Sequence, residues 1–456
     1  MADHDSVDEV DIVVLGMGVG GEEVAGRLAV AGLSVVGVEH RLVGGECPYW
    51  GCVPSKEMIR AANLLAEGGR VNGMAGTATV EPDWRPVAAR VRETTDDWDD
   101  KAAVDRFTGK GGRFVRGYGR LAGPGRVDVD GVTFQARRGI VLGAGTAPSV
   151  PPIDGLAGTP YWTNREAIEA TEAPESLIIL GGGAIGLELA QVFLRFGTRV
   201  TIVEALDRLL AMEEPESSKL LHSELEGAGA EVRTGAKVVR VGHDAQSFTV
   251  TLDGGDVLEA ERLLVATGRR ANLGDLGLDT VGLDPTARTL EVDEWLRAGD
   301  RLWGVGDLTG KGAFTHVAMY QADIVVRDIL GQGGPAADYR ALPRVTFTDP
   351  EVGAVGLTEA QARARGLRVT TGYTDLTEST RGYIHKVGNH GFVKLVADAD
   401  RGVLVGATSA GPVGGEVLGA LVVAVHGEVP VDRLRSMMYA YPTFHRAIEQ
   451  AVKNLG

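Results

Sequence analysis

A chain of 456 residues predicts roughly three domains with well-buried cores and excludes a mini-protein that needs staples. Its formal charge of −16 repels a nucleic-acid backbone or an anionic membrane, and no basic stripe overrides that field. Glycine, at 65 residues about twice the usual share, is spread among apolar runs without a three-residue period, which excludes collagen and low-complexity disorder.

From Met1 to Val10 the chain is acidic where a secretory leader is basic and then apolar. No run is long and apolar enough for a membrane span, and the most apolar helix candidate, Val417 to Val425, is too short. Two cysteines make no disulfide framework, so the expected compartment is the cytoplasm, where a cysteine pair is chemical rather than structural.

The strongest large-scale feature is an internal repeat. Its first copy runs from the apolar strand Ile12 to Leu15 into Gly16, Gly18 and Gly21, through a helix from Glu22 to Ala31, to a strand from Ser34 that ends at Glu39. The second runs from Leu177 to Leu180 into Gly181, Gly183 and Gly186, through a helix to Phe196, to a strand from Arg199 that ends at Glu204, with the same spacing from first glycine to acid. A glycine pattern alone is weak in so glycine-rich a chain, and the run Gly331 to Ala336, with proline in its middle and no strand after it, reads as a linker. The two repeats carry the whole strand–helix–strand context and read as dinucleotide sites. The first glycine makes the tight turn, the second admits a pyrophosphate to the backbone, the third lets helix and strand pack, and the helix N-terminus faces the anion. The acid accepts ribose hydroxyl protons and repels a 2′-phosphate. Glu204 therefore favours NAD over NADP, tempered by nearby Arg208.

Between the repeats lies the cysteine segment, Cys47 and Cys52 followed by Pro54 and Lys56. In a regular helix residues five apart have Cα atoms about 8.7 Å apart, and a disulfide needs under about 7 Å. Closure therefore requires an irregular turn, for which Pro48 and Gly51 supply the breakers. Pro54 then opens a helix through Lys56 and Ile59, and its N-terminus lowers the pKa of the nearby thiols. Zinc fits poorly, with two thiols and no suitably spaced histidine pair; His385 and His390 read as solvated surface residues.

Gly139 to Gly145, Arg262 to Gly268 and Leu302 to Asp307 each read as a buried strand stopping at a glycine turn. After the linker the pattern changes to strands such as Phe392 to Val396. A helix from Gly415 to His426, apolar nearly all round, suits a core or an oligomer interface. The last helix, after Pro442, carries Phe444, Ala447, Ile448, Ala451, Val452 and Leu455 on one side.

Together these motifs, with Glu188, resemble the pyridine nucleotide–disulfide oxidoreductases over nearly the whole chain. The implied fold is α/β: two Rossmann-like dinucleotide-binding domains plus a C-terminal α+β dimerisation domain. The implied domains are an FAD-binding domain from residues 1–150 and 269–335, an NAD-binding domain at 151–268 and an interface domain at 336–456. The resemblance implies FAD on Gly16, Gly18, Gly21 and Glu39, with Asp307 at the ribitol, and NAD(H), with NADP(H) as the alternative, on Gly181, Gly183, Gly186 and Glu204. Gly145 and Gly268 close strands beside these sites. Cys52 would face the flavin and Cys47 attack the substrate, while Lys56 would lie near the flavin and pair with Glu188. The family works as a homodimer whose C-terminal segment completes the partner's active site.

The departure is at that segment, where the family's disulfide reducers carry a histidine and, five residues on, a glutamate. This chain has Tyr441 and Arg446 in those places. A tyrosine is handicapped as a neutral-pH base by roughly 5 kcal/mol. Three readings stay open: His445 replaces the base, although it lies on the polar side of the last helix; Tyr441 donates a proton or acts as a ligand; or the acceptor needs little base catalysis. The expected activity is electron transfer from NAD(P)H, NADH favoured, through FAD and the Cys47–Cys52 disulfide to a disulfide or other small acceptor. The alternatives are a diaphorase, quinone or metal-ion reductase using reduced FAD directly, and a redox-sensing flavin-binding protein.

Overall fold

The structure, a computed structural model, describes residues 7–456. The described residues form two compact units, one of residues 7–55, Ala89–Ser149 and Gly268–Asp338, the other of Lys56–Ala88, Val150–Thr267 and Tyr339–Gly456.

The first unit is built on a sheet whose main path runs Arg297–Gly299, Leu302–Gly304, Val132–Leu142, Asp8–Leu15, Val35–Glu39 and Arg113–Arg116. From Leu302–Gly304 onward these strands are parallel. A parallel sheet is covered on both faces, which explains why Ile12, Val13 and Val14 are fully buried. The helix Val19–Val30 covers one face, with Val24, Ala25 and Leu28 buried. Strand order reverses at Asp8–Leu15, so the crevice beyond Leu15 is the place where such a sheet takes a ligand, and Gly16 to Gly21 lie there.

In the second unit a four-stranded parallel sheet, ordered Glu231–Thr234, Arg199–Glu204, Ser176–Leu180, Arg262–Val265, repeats that arrangement with the helix Ala184–Arg195. A five-stranded antiparallel sheet follows: Pro343–Thr346, Glu351–Gly356, Val403–Gly411, Phe392–Asp398 and Val369–Asp375. The helix Gly414–His426 packs Val417, Leu418, Leu421, Ala424 and Val425 into this core and leaves Gly419, Ala420 and Val423 exposed. An apolar helix with one uncovered side suits an oligomer interface.

The C-terminal helix departs from expectation. It spans only Ala447–Lys453. Residues 441–446 form turns, because the Thr443 hydroxyl accepts the Arg446 N–H at 3.1 Å and the backbone enters the helix only afterwards. Phe444 is buried ahead of the helix rather than on its face.

Candidate functional site

The two glycine turns are built alike. Gly16 has φ +92° and a Cβ there would stand 2.5 Å from the Gly143 carbonyl oxygen; Gly181 has φ +112° and a Cβ 2.4 Å from that of Ala266. A Cβ on Gly21 or Gly186 would stand 2.0 Å or 2.3 Å from the carbonyl oxygen of Gly16 or Gly181. First and third glycines are thus demanded by the fold. The middle ones are not: a Cβ on Gly18 meets its first atom at 3.9 Å, and one on Gly183 meets none within 4 Å. Both are helix N-caps without a side-chain cap, so orphan N–H groups face open space. That cradle fits a dinucleotide pyrophosphate.

The acids are held by the same bonds in each copy. Glu39 accepts the N–H of Met17 at 2.9 Å and of Arg41 at 2.8 Å; Glu204 accepts that of Gly182 at 2.6 Å and of Leu206 at 2.7 Å. Burial works to raise the Glu39 pKa, but hydrogen bonds from His40 and the two backbone amides outweigh it and keep the carboxyl below its ordinary value. Arg208 does not sit as a phosphate clamp. Its guanidinium donates to the carbonyls of Leu210 at 3.3 Å, Ala211 at 2.7 Å and Glu213 at 2.9 Å, because this loop turns those carbonyls inward and a guanidinium fork satisfies them. Asp307 accepts from the Thr146 hydroxyl at 2.9 Å, and that hydroxyl accepts from Arg269 Nε at 2.7 Å. Gly145 and Gly268, both at positive φ, flank this bonded pair of segments.

The one-turn helix Glu46–Tyr49 breaks at Trp50 and Gly51, and a long helix Cys52–Arg70 begins at once. The two cysteines are not joined by a disulfide and their thiols are in hydrogen-bonding contact, and Cys52 Sγ lies 3.3 Å from the Thr315 hydroxyl. The expectation that the helix N-terminus lowers both thiol pKa values fails for Cys47. Its hydrogen bond with Cys52, then burial, push it well above the ordinary thiol range. The Cys52 backbone N–H, the first of the long helix, and the Thr315 hydroxyl do act to lower it, but the contact with the Cys52 thiol and burial outweigh them. Thr315 was not singled out from sequence, since a threonine opening a helix is too common to signal a thiol partner.

Lys56 follows Cys52 by one helical turn, on the same face. Its Nζ lies 2.8 Å from Glu188 Oε2 and 4.5 Å from the Phe347 ring centre. The other Glu188 oxygen accepts the Phe347 N–H at 2.9 Å. Phe347 carried no sequence signal, because its contribution is a backbone amide. Tyr441 and His445 diverge. Tyr441, 63% exposed, lies 5.0 Å below the Arg446 guanidinium and lines a cleft of about 680 Å³ with Tyr373, Asp375, Arg381, Arg446 and Lys453. His445 packs on Tyr439, ring centres 5.4 Å apart. Arg446 is paired with Glu449 at 2.8 Å. His390 is exposed and hydrogen-bonded to Glu224, and His385 meets the Phe444 ring edge-on.

Among the described residues no cluster of His, Cys, Asp or Glu could hold a metal ion, and no helix is long and apolar enough to cross a membrane. Residues 10–322 match the family described as Pyridine nucleotide-disulphide oxidoreductase, and residues 342–452 match its dimerisation domain. Mercuric reductase of Streptomyces lividans is 33% identical over 454 residues, 97% of this chain and 95% of that protein. Dihydrolipoyl dehydrogenase of Halobacterium salinarum is 33% identical over 473 residues, 97% of this chain and 96% of that protein. Two solved structures, LpdA from Mycobacterium tuberculosis and the HOCl-induced flavoprotein disulfide reductase RclA from Escherichia coli, each match with a TM-score of 0.86 at 25% identity. They cover 99% and 98% of this chain and 100% of their own. The chain belongs to the pyridine nucleotide–disulphide oxidoreductases, flavoproteins that move electrons between NAD(P)H, FAD and a disulfide, and carries that family's dimerisation domain.

Proposed function

We propose that this protein is a reductase that takes electrons from NADH and delivers them through the Cys47–Cys52 pair to a small acceptor, a disulfide in the first instance. The observation that carries the reading is the contact between the two thiols, one helical turn before Lys56, in a chain with two glycine cradles. FAD would be held by Gly16, Gly18, Gly21, Glu39 and Asp307, with Gly145 alongside, in a domain of residues 1–150 and 269–335. NAD(H) would be held by Gly181, Gly183, Gly186 and Glu204, with Gly268 alongside, in a domain of residues 151–268. Residues 336–456 would pair two copies into a homodimer, with no nucleic acid or membrane partner, in the cytoplasm. The chemistry that FAD would supply when bound is acceptance of a hydride from the nicotinamide and delivery of an electron pair to sulfur.

Two electrons and a proton would open the Cys47–Cys52 bond, leaving Cys52 as the thiolate and Cys47, whose affinity for a proton is raised, as the thiol. Cys47 then attacks the acceptor disulfide. Its S–S bond breaks, one thiol departs with a proton, and Cys52 displaces the second by closing the Cys47–Cys52 bond again. The balance is NADH, a proton and a disulfide giving NAD and two thiols. The Lys56–Glu188 ion pair, at 2.8 Å, would lie beside a bound nicotinamide, and Tyr441, exposed, would donate a hydrogen bond to an acceptor. Full reduction of the flavin-loaded chain should consume about two dithionite equivalents per subunit, one for FAD and one for the two-electron sulfur couple, against one in the Cys47→Ser/Cys52→Ser variant. Equal consumption by both would overturn the reading.

A second reading is favoured by the C-terminal segment, where Arg446 pairs with Glu449 and stacks on Tyr441. Nothing in that arrangement takes the Cys47 proton, which suits an acceptor needing no base, such as a quinone or metal ion.

The nucleotide preference follows from Glu204 and from Arg208 being spent on three carbonyls. kcat/KM for NADH should exceed that for NADPH by about a hundredfold, the cost of placing a phosphate dianion against a fixed carboxylate without a compensating cation. Comparable values in initial-rate assays would show that another cation meets the 2′-phosphate.

A further inference from the structure

Three consecutive non-glycine residues, Asp96, Asp97 and Trp98, have φ of +49°, +52° and +59°. L side chains resist this region, and a run of three exceeds what an ordinary turn needs. The run is pinned at both ends. Thr95 is buried, its hydroxyl bonded to the Val91 carbonyl at 2.9 Å; Asp100 is buried and held by Arg116 at 2.5 Å.

What the run delivers lies in the cysteine segment. The Trp98 indole N–H donates to the Tyr49 carbonyl at 3.2 Å, and Asp100 accepts the Val43 N–H at 2.7 Å. These two contacts bracket the stretch that contains Cys47. Tyr49 ends the one-turn helix Glu46–Tyr49, where carbonyls lack intrahelical partners. Upstream, Gly44 and Gly45 have φ of +106° and +69°, and downstream the chain breaks at Gly51. Gly44 is held by the Met17 carbonyl at 2.7 Å and Glu46 by Arg269 at 3.5 Å; the Trp98 bond adds a hold at the Tyr49 end, next to the break.

We propose that the left-handed run Asp96–Trp98 is a brace, and Trp98 a positioning residue, that holds the Cys47 turn against Cys52 and so sets how readily the pair closes into a disulfide. The inference rests on the reading of these cysteines as a redox couple. Holding one thiol beside the other raises its effective concentration and favours closure. Loosening the brace makes the couple more oxidising.

The test equilibrates the full, flavin-loaded chain anaerobically with set ratios of reduced and oxidised dithiothreitol, and reads Cys47 and Cys52 by alkylation and mass. Each protein disulfide formed reduces one reagent disulfide, two electrons and two protons passing between them. Trp98→Phe keeps a ring and removes the N–H. The equilibrium constant for disulfide formation should fall about threefold to tenfold, the worth of one hydrogen bond, with flavin content and circular dichroism unchanged. An unchanged constant in the folded variant overturns the brace. Should that variant fail to fold, Asp97→Pro, which forces φ to about −65° and so breaks the left-handed run while keeping the indole, is read in its place: a fall supports the brace and no change overturns it. If the wild-type chain forms no Cys47–Cys52 disulfide at any ratio, the redox couple itself fails and the brace with it. If it titrates and Trp98→Phe matches it, the brace alone fails.

Discussion

Replacing Cys47 by serine should lower NADH-dependent reduction of a small disulfide by at least about a thousandfold, while the purified variant stays yellow with its full complement of flavin. The effect is large because the step cannot be shared. The acceptor disulfide must be opened by a sulfur nucleophile, and a serine hydroxyl neither ionises near neutral pH nor stores an electron pair as a reversible disulfide. The fold has no reason to suffer, since Cys47 is only partly buried on a one-turn helix and serine is nearly its size. Steady-state NADH oxidation with a cyclic aliphatic disulfide, normalised to flavin absorbance, is the measurement. Residual turnover within tenfold of wild type would remove Cys47 from the pathway. The same variant assayed with a quinone separates the two readings: a loss of similar size assigns both acceptors to the sulfur couple, and preserved turnover assigns the quinone to the flavin directly.

What the sequence made legible was what local chemistry decides. The strands Ile12 to Leu15 and Leu177 to Leu180, the glycines after them and the acids Glu39 and Glu204 stand in fixed order along the chain, and each copy can be checked against the other. The Lys56–Glu188 pair came only through the family resemblance, because the partners are far apart in sequence and neither has a local signature. That the Arg208 guanidinium is given to three carbonyls was not legible, since proximity to Glu204 along the chain says nothing about where a guanidinium finds its acceptors. The Cys47 thiol was misjudged because the helix N-terminus was weighed alone: the hydrogen bond to Cys52, five residues on, needs the irregular turn to form, and the burial that adds to it is tertiary. Thr315, Phe347 and Trp98 act through contacts made only in the folded chain, Phe347 through a backbone N–H that any residue but proline could have supplied. The left-handed run at Asp96–Trp98 runs against residue preference, so propensity conceals it.

The glycines of the second turn should separate by function under substitution. Gly183 has φ −84° and ψ 178°, ordinary extended backbone, and a Cβ there meets no protein atom within 4 Å. Gly183→Val should therefore fold, keep its flavin and melt at the wild-type temperature. Its KM for NADH should nonetheless rise about tenfold to a hundredfold, because the added methyls hold the pyrophosphate away from N–H groups whose bonds to a charged phosphate are worth about 1.5–3 kcal/mol each. Gly181→Ala should do the reverse. With φ +112° and the Ala266 carbonyl oxygen 2.4 Å from the new Cβ, both backbone strain and contact act on the folded state, and the expected loss is about 2 kcal/mol or more of stability, read as a lower melting temperature. The contrast is the informative part. A turn that merely joined strand to helix would need its first and third glycines and tolerate any residue at the second, so an unchanged KM in Gly183→Val would mean that no pyrophosphate lies against this helix N-terminus.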